Sequence, residues 1–183
     1  MHYHAEVYLK KLNGKPLMDA VGAHMNRGVK SKVGWDWFVI GGRWSGEKLL
    51  AKLDKDRLKA FWVEFKKRGY GWPSAEHSDE ERRRDSQALF MEFFPDFKGE
   101  IPVWRDQYKR EGGEGDVAKV EDLPETLSCH TLILPGKRRA EVLQIEEWNG
   151  KDFVKTAFKG DVVAELKRRG LTDGYLVTVD YHS

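Results

Sequence analysis

Tyr175-Leu176-Val177-Thr178-Val179-Asp180-Tyr181-His182 alternates residue by residue near the end of the chain. Successive side chains of a strand point to opposite sides, so Tyr175, Val177, Val179 and Tyr181 share one face, with Leu176, Thr178, Asp180 and His182 on the other. The opening segment reads the same way. Tyr3, Ala5, Val7 and Leu9 fall together, opposite His2, His4, Glu6 and Tyr8. Between these two half-buried strands lie neither a repeat nor a domain linker, which predicts a single sheet that both ends join.

Working inward, Asn13-Gly14 marks a turn and Pro16 suits a first helical position, ahead of Leu17, Val21 and Met25 at helical spacing. Residues 33–40 read as a strand closed by Gly41-Gly42. Asp54 caps a helix over residues 55–68 with Leu58, Phe61, Trp62 and Phe65 as its apolar stripe, and Gly69 ends it. Ser78 and Glu81 form a capping box for a helix reaching about residue 94, whose Arg82-Arg83-Arg84 run is expected to be a solvated face. Residues 127–134 make a strand. Asn149-Gly150 joins residues 141–148 to 152–157 as a hairpin, and Asp161 caps a helix to Arg169. Residues 95–126 hold Pro95, Pro102, Pro124 and the run Glu111-Gly112-Gly113-Glu114-Gly115-Asp116, and read as an irregular insertion in which Trp104 and Tyr108 pack part of the chain down. The sum is one α+β domain over residues 1–183: a mainly antiparallel sheet joining the N- and C-terminal strands, packed by three to four helices, with 95–126 inserted.

Composition narrows the function classes. Thirty-two basic against thirty acidic residues leave +2, too balanced for a dedicated nucleic-acid binder or an acidic nucleic-acid mimic. Cys129 is the only cysteine, so an internal disulfide and a cysteine-based zinc cluster are excluded, and a reducing cytoplasm fits. The first residues lack the basic-then-apolar plan of a signal peptide, and no apolar run approaches the roughly 20 residues of a membrane helix. The expectation is a cytoplasmic protein without a membrane partner.

Two constellations could carry chemistry. If the terminal strands are neighbours, His2, His4, Asp180 and His182 line one polar surface within roughly 5 to 8 Å of each other. Such a set is a candidate catalytic or metal site, either ligating zinc or another divalent ion or arranging a His–Asp pair for proton transfer. The plain alternative is the ordinary outer face of an antiparallel sheet. Apart from that divalent metal, the sequence implies no cofactor. The second constellation is Trp35-Asp36-Trp37-Phe38-Val39-Ile40-Gly41-Gly42-Arg43-Trp44. Its glycines permit positive φ, and Arg43 could stack on tryptophan or fork onto a carboxylate or phosphate. The plain alternative is an Asp36–Arg43 ion pair across a tight turn. Trp35, Asp36, Trp37, Arg43 and Trp44, with Trp104 of the insertion, are the candidate partner-binding residues. Cys129 and His130 are strand neighbours that point apart and cannot act as a nucleophile–base pair. Phosphate-binding glycine loops, a serine elbow and clustered zinc motifs are absent.

Read through Ser45-Gly46 and together with Leu176-Val177-Thr178-Val179-Asp180-Tyr181-His182, the chain resembles a loosely defined group of uncharacterised proteins common in bacteriophage and bacterial mobile-element genomes. In that group a Trp-Asp-Trp/Tyr strand runs into Ile/Val-Gly-Gly-Arg-Trp, and the chain closes on Val-Val-Asp-x-His. The resemblance covers about a quarter of the chain and transfers no catalytic residue. It implies a small accessory protein of a phage or mobile element in a bacterial cytoplasm, where such proteins often bind a host or defence component. The leading expectation is therefore a non-enzymatic, protein-binding role, for example inhibition of a CRISPR effector. The alternative is a metal-dependent or acid–base hydrolase of a nucleotide or nucleic acid centred on His2, His4, Asp180 and His182. A nucleic-acid-binding module is the third reading.

Overall fold

The computed structural model of the protein describes residues 1–26, 36–70, 77–97, 115–137 and 139–182. The fold is α+β. Strand β1 (His2–Leu9) pairs antiparallel with β8 (Tyr175–His182) along its whole length, from His2 opposite His182 to Leu9 opposite Tyr175. On its other edge β1 takes β4 (Thr131–Leu134) in parallel, and β5 (Glu141–Gln144) follows antiparallel. The outer edge of β8 is shared end to end by two short strands. β2 (Trp37–Ile40) lies against His182 to Val179, and β3 (Val117–Lys119) against Val177 to Tyr175.

Alternation decides what each face buries. Ala5, Val7, Leu9, Val177, Val179 and Tyr181 pack under Val21 and Met25, the helix α1 (Leu17–His24) supplying the cover. On the opposite face Tyr8, Leu132, Leu134 and Leu176 pack with Leu127, Cys129 and Phe158 beneath α5 (Val162–Arg168). A third core lies away from the sheet. There α3 (Lys55–Lys67) and α4 (Asp79–Phe93) bring Phe61, Phe65, Leu89 and Phe90 together with Leu50 of α2 (Glu47–Leu50), and Phe61 meets Phe90 edge-on at 5.1 Å. The helix ends follow their caps: Asp54 accepts from the Arg57 N–H, Asp161 from the Ala164 N–H, and both halves of the Ser78–Glu81 box are made.

Four expectations change. Both sheet faces are covered, so the polar face of β1 and β8 is interior: Glu6, Thr178 and Asp180 are fully buried. Arg82 is buried while Arg83 and Arg84 are exposed, because Arg82 shares a helical face with Ser86, Leu89 and Phe90. Residues 141–148 are not one strand but β5 and β6 (Glu146–Trp148). The latter forms a separate two-stranded hairpin with β7 (Phe153–Lys155) around Asn149-Gly150. Within the stretch read as irregular, β3 satisfies backbone groups of β8 that β2 does not reach. Trp35, Trp104 and Tyr108 lie outside the described residues. Among the described residues no helix is long and apolar enough to cross a membrane.

Arg169 fastens α5 to the sheet edge, donating to both Glu141 oxygens at 2.6 and 2.7 Å and to Glu165 at 2.6 Å. Hydrogen bonds from Arg168 and then Arg169 outweigh partial burial and hold the Glu165 carboxyl down to about 2. A lowered folded-state value stabilises the fold above the ordinary value of 4.5, and that stabilisation is lost as pH falls towards about 2. Thermal melts between pH 6 and 2.5 should show the wild type losing more of its Tm on acidification than Glu165→Gln.

Candidate functional site

The chain leaves β2 at Gly41, whose N–H donates to the Thr178 carbonyl at 2.8 Å, and folds back across the buried polar face. Gly41 and Gly42 have φ of 74° and 55°. Space requires glycine as much as φ does. A Cβ on Gly41 would sit 2.3 Å from Asp116 Oδ2, and one on Gly42 2.4 Å from Asp180 Cβ. The following residues then donate to those carboxylates. The Arg43 N–H meets Asp180 Oδ2 at 3.0 Å, the Ser45 hydroxyl meets Asp116 Oδ2 at 2.9 Å, and the Gly46 N–H meets Asp116 Oδ1 at 2.8 Å. The 3-10 turn Gly42–Trp44 thus hangs between two buried aspartates. Asp116 had no visible role in the sequence, since a Gly/Glu-rich run ahead of an aspartate reads as a solvated loop.

Deeper in the same face, Glu6 is fully buried beneath Lys48 of α2. The Lys48 ammonium donates to Glu6 Oε2 at 2.8 Å, to the Asp116 carbonyl at 3.2 Å and to the Thr178 hydroxyl. Thr178 in turn donates to Glu6 Oε1 at 2.7 Å, and His4 Nε2 donates to the same oxygen at 3.0 Å. Burial favours the protonated carboxyl, but the charge of Lys48 and the His4 hydrogen bond outweigh it and keep Glu6 below the ordinary carboxylate range. The His4 ring stacks on Trp44 at 5.5 Å and 12°.

At the outer end the groups approach solvent. His2 Nδ1 donates to Asp180 Oδ1 at 2.9 Å, and His182 Nδ1 donates to Asp36 at 2.9 and 3.0 Å. Trp37 and His182 stack at 5.7 Å and 2°, and the His2 ring stands edge-on to both. Side-chain exposure rises from 0% at Asp180 through 15% at His2 and 34% at His182 to 62% at Asp36.

The structure therefore brings His2, His4, Asp180 and His182 together, along with Asp36, Trp37, Arg43 and Trp44. The four do not converge on a point. Each imidazole faces its own carboxylate, and among the described residues no group of three or more His, Cys, Asp or Glu side chains is arranged to hold a metal ion. Arg43 meets Asp180 through its backbone while its side chain is exposed, and Asp36 takes His182. Cys129 is buried, its thiol donates to the Thr131 carbonyl at 3.1 Å, and burial pushes its titration well up. It packs in the core, whereas His130 turns away against Tyr3 at 4.7 Å.

Among the described residues the most exposed aromatic pair lies elsewhere. On the β6–β7 hairpin Trp148 and Phe153 are 57% and 62% exposed with ring centroids 5.2 Å apart, and Val154 is 45% exposed. The Asn149-Gly150 turn was legible in the sequence. That its strands stand apart from the main sheet was not, because alternation within three-residue strands does not say whether a core receives them.

Lys48→Met leaves the buried Glu6 carboxylate without the ammonium that neutralises it and should cost about 3–5 kcal/mol in urea titrations, whereas Glu6→Leu combined with Lys48→Met should cost less than the single change. Gly42→Ala meets both the positive φ and Asp180, and should cost about 2–4 kcal/mol by the same measurement.

No protein family, curated protein or solved structure compared with the chain matches it.

Proposed function

We propose that the protein acts by binding another protein, and that the β6–β7 hairpin is its docking element. The exposed Trp148–Phe153 pair, held away from the main sheet, carries this reading. Large aromatics dominate interface energetics, and a two-stranded hairpin is marginal by itself, so covering it with a partner removes apolar surface from water and steadies the strands together. The resemblance to phage and mobile-element proteins supports a bacterial host protein, or a component of its antiviral defence such as a CRISPR effector, as the partner, met in the bacterial cytoplasm. The residues around Arg43 form a second, stiffer surface, since the aspartate-clamped turn fixes Arg43 and Trp44 on the rim.

The test expresses the chain in bacteria with an affinity tag on a long flexible linker, and compares it with Trp148→Ala/Phe153→Ala and with Arg43→Glu. A partner retained stoichiometrically by the wild type and by Arg43→Glu, and lost with the hairpin change, is the expected outcome. Loss with Arg43→Glu instead moves the docking surface to the clamped turn. No stoichiometric partner, together with no effect of the protein on phage plaquing in defence-bearing cells, overturns the reading.

A further inference from the structure

The end of the sheet where β1, β2 and β8 meet holds two imidazoles that partner binding through the hairpin does not use. His2 and His182 face each other across the strand pair with ring centroids 5.3 Å apart. A carboxylate only accepts, so the bonds to Asp180 and Asp36 place the proton of each ring on Nδ1 and leave Nε2 for proton exchange. Neither ring is loose: Trp37 stacks on His182, and His2 packs edge-on against both. Asp180 cannot swing either, because its second oxygen holds the Arg43 N–H. Among the described residues His2 Nε2 has no hydrogen-bond partner, and His182 Nε2 carries an exposed contact at 3.1 Å from the Met1 nitrogen that an incoming group can displace. Half-buried Trp37 lies against both rings, half-buried Trp44 stacks on the neighbouring His4, and the backbone of exposed Arg43 is tied to the aspartate that holds His2.

Two oriented imidazoles this close can work on opposite sides of one phosphorus, one as general base and the other as general acid. That pairing suits a substrate that carries its own nucleophile beside the phosphodiester, which is the 2′-hydroxyl of RNA. We propose that His2 and His182 form a general acid–base pair that cleaves single-stranded RNA by transesterification. The neutral imidazole of one takes the 2′-hydroxyl proton, and the 2′-oxygen bonds to the adjacent phosphorus. The P–O5′ bond breaks as the imidazolium of the other gives its proton to the 5′-oxygen. One product ends in a 2′,3′-cyclic phosphate and the other in a 5′-hydroxyl. No electrons are transferred, and exchange with water returns the two rings to their starting states. Arg43, whose N–H holds the same aspartate as His2, adds positive charge at this end of the sheet, and Trp37 adds an aromatic ring on which a base can stack. This activity does not depend on the docking reading.

The purified protein is incubated in EDTA with a fluorescent single-stranded RNA of mixed sequence, its DNA counterpart and the fully 2′-O-methylated RNA, at pH values from 5 to 8. RNA is expected to be cut to products with 2′,3′-cyclic ends by mass spectrometry, and the other two strands to stay intact. His2→Gln and His182→Gln, checked for folding by circular dichroism, should each slow cleavage about 100-fold or more. Trp148→Ala/Phe153→Ala should cleave at the wild-type rate, which separates this activity from docking. Absence of cleavage by the folded wild type, cleavage of the methylated strand, or undiminished cleavage by the folded His2→Gln/His182→Gln double variant purified identically would overturn the proposal.

Discussion

Asp116 and Asp180 are acidic side chains with no access to water, and a buried carboxylate needs hydrogen-bond donors wherever the chain can supply them. Here the donors come from one short segment. The Arg43 and Gly46 amides and the Ser45 hydroxyl turn over the sheet to reach the two groups, and Gly41 and Gly42 are glycines because the carboxylates occupy the space a side chain would fill. Removing the clamp would unseat more than a loop. α2 follows the turn directly, and α2 carries Lys48 to Glu6. The position of Trp44 over His4 and the anchoring of His2 depend on the same two aspartates.

The Glu6–Lys48–Thr178 group raises a separate energetic question. Burying an ion pair costs desolvation that the attraction only partly returns, so such a pair is weak grounds for extra stability. Its geometry does fix relative placement. Lys48 reaches a residue of β1, a residue of β8 and the backbone just before β3, so a single ammonium ties α2 to three separate segments. An apolar contact would tolerate sliding. A charged group with directional partners does not.

Much of the fold was readable because it rests on local rules. The alternation in residues 2–9 and 175–182 gave both strands and their faces, and Asp54, Ser78 with Glu81, and Asp161 gave the helix starts. The site was only half legible. Shared parity put His2, His4, Asp180 and His182 on one side, yet nothing local could say that the side was interior, since covering it depends on a turn and a helix distant in sequence. Asp116 illustrates the limit: its role comes from Ser45 and Gly46, about seventy positions away. Arg82 and the Trp148–Phe153 pair went unread for the mirror-image reason, one charge taken in by a core and one aromatic pair left out of any.

The arrangement of β8 also governs the order in which the molecule can be made. It contacts β1 on one edge and both β2 and β3 on the other, and it follows every other described strand in sequence. On a translating ribosome β1 waits with one long edge open until β8, far along the sequence, has emerged. Its pairing of His2 with His182 joins residues very far apart in sequence, a closure that is entropically expensive and slow. Until then β1 presents unpaired amides and carbonyls to its surroundings, the condition under which nascent sheets misassociate. The histidines and glutamate that alternate along it give that waiting edge a polar side, which disfavours self-association before β8 arrives.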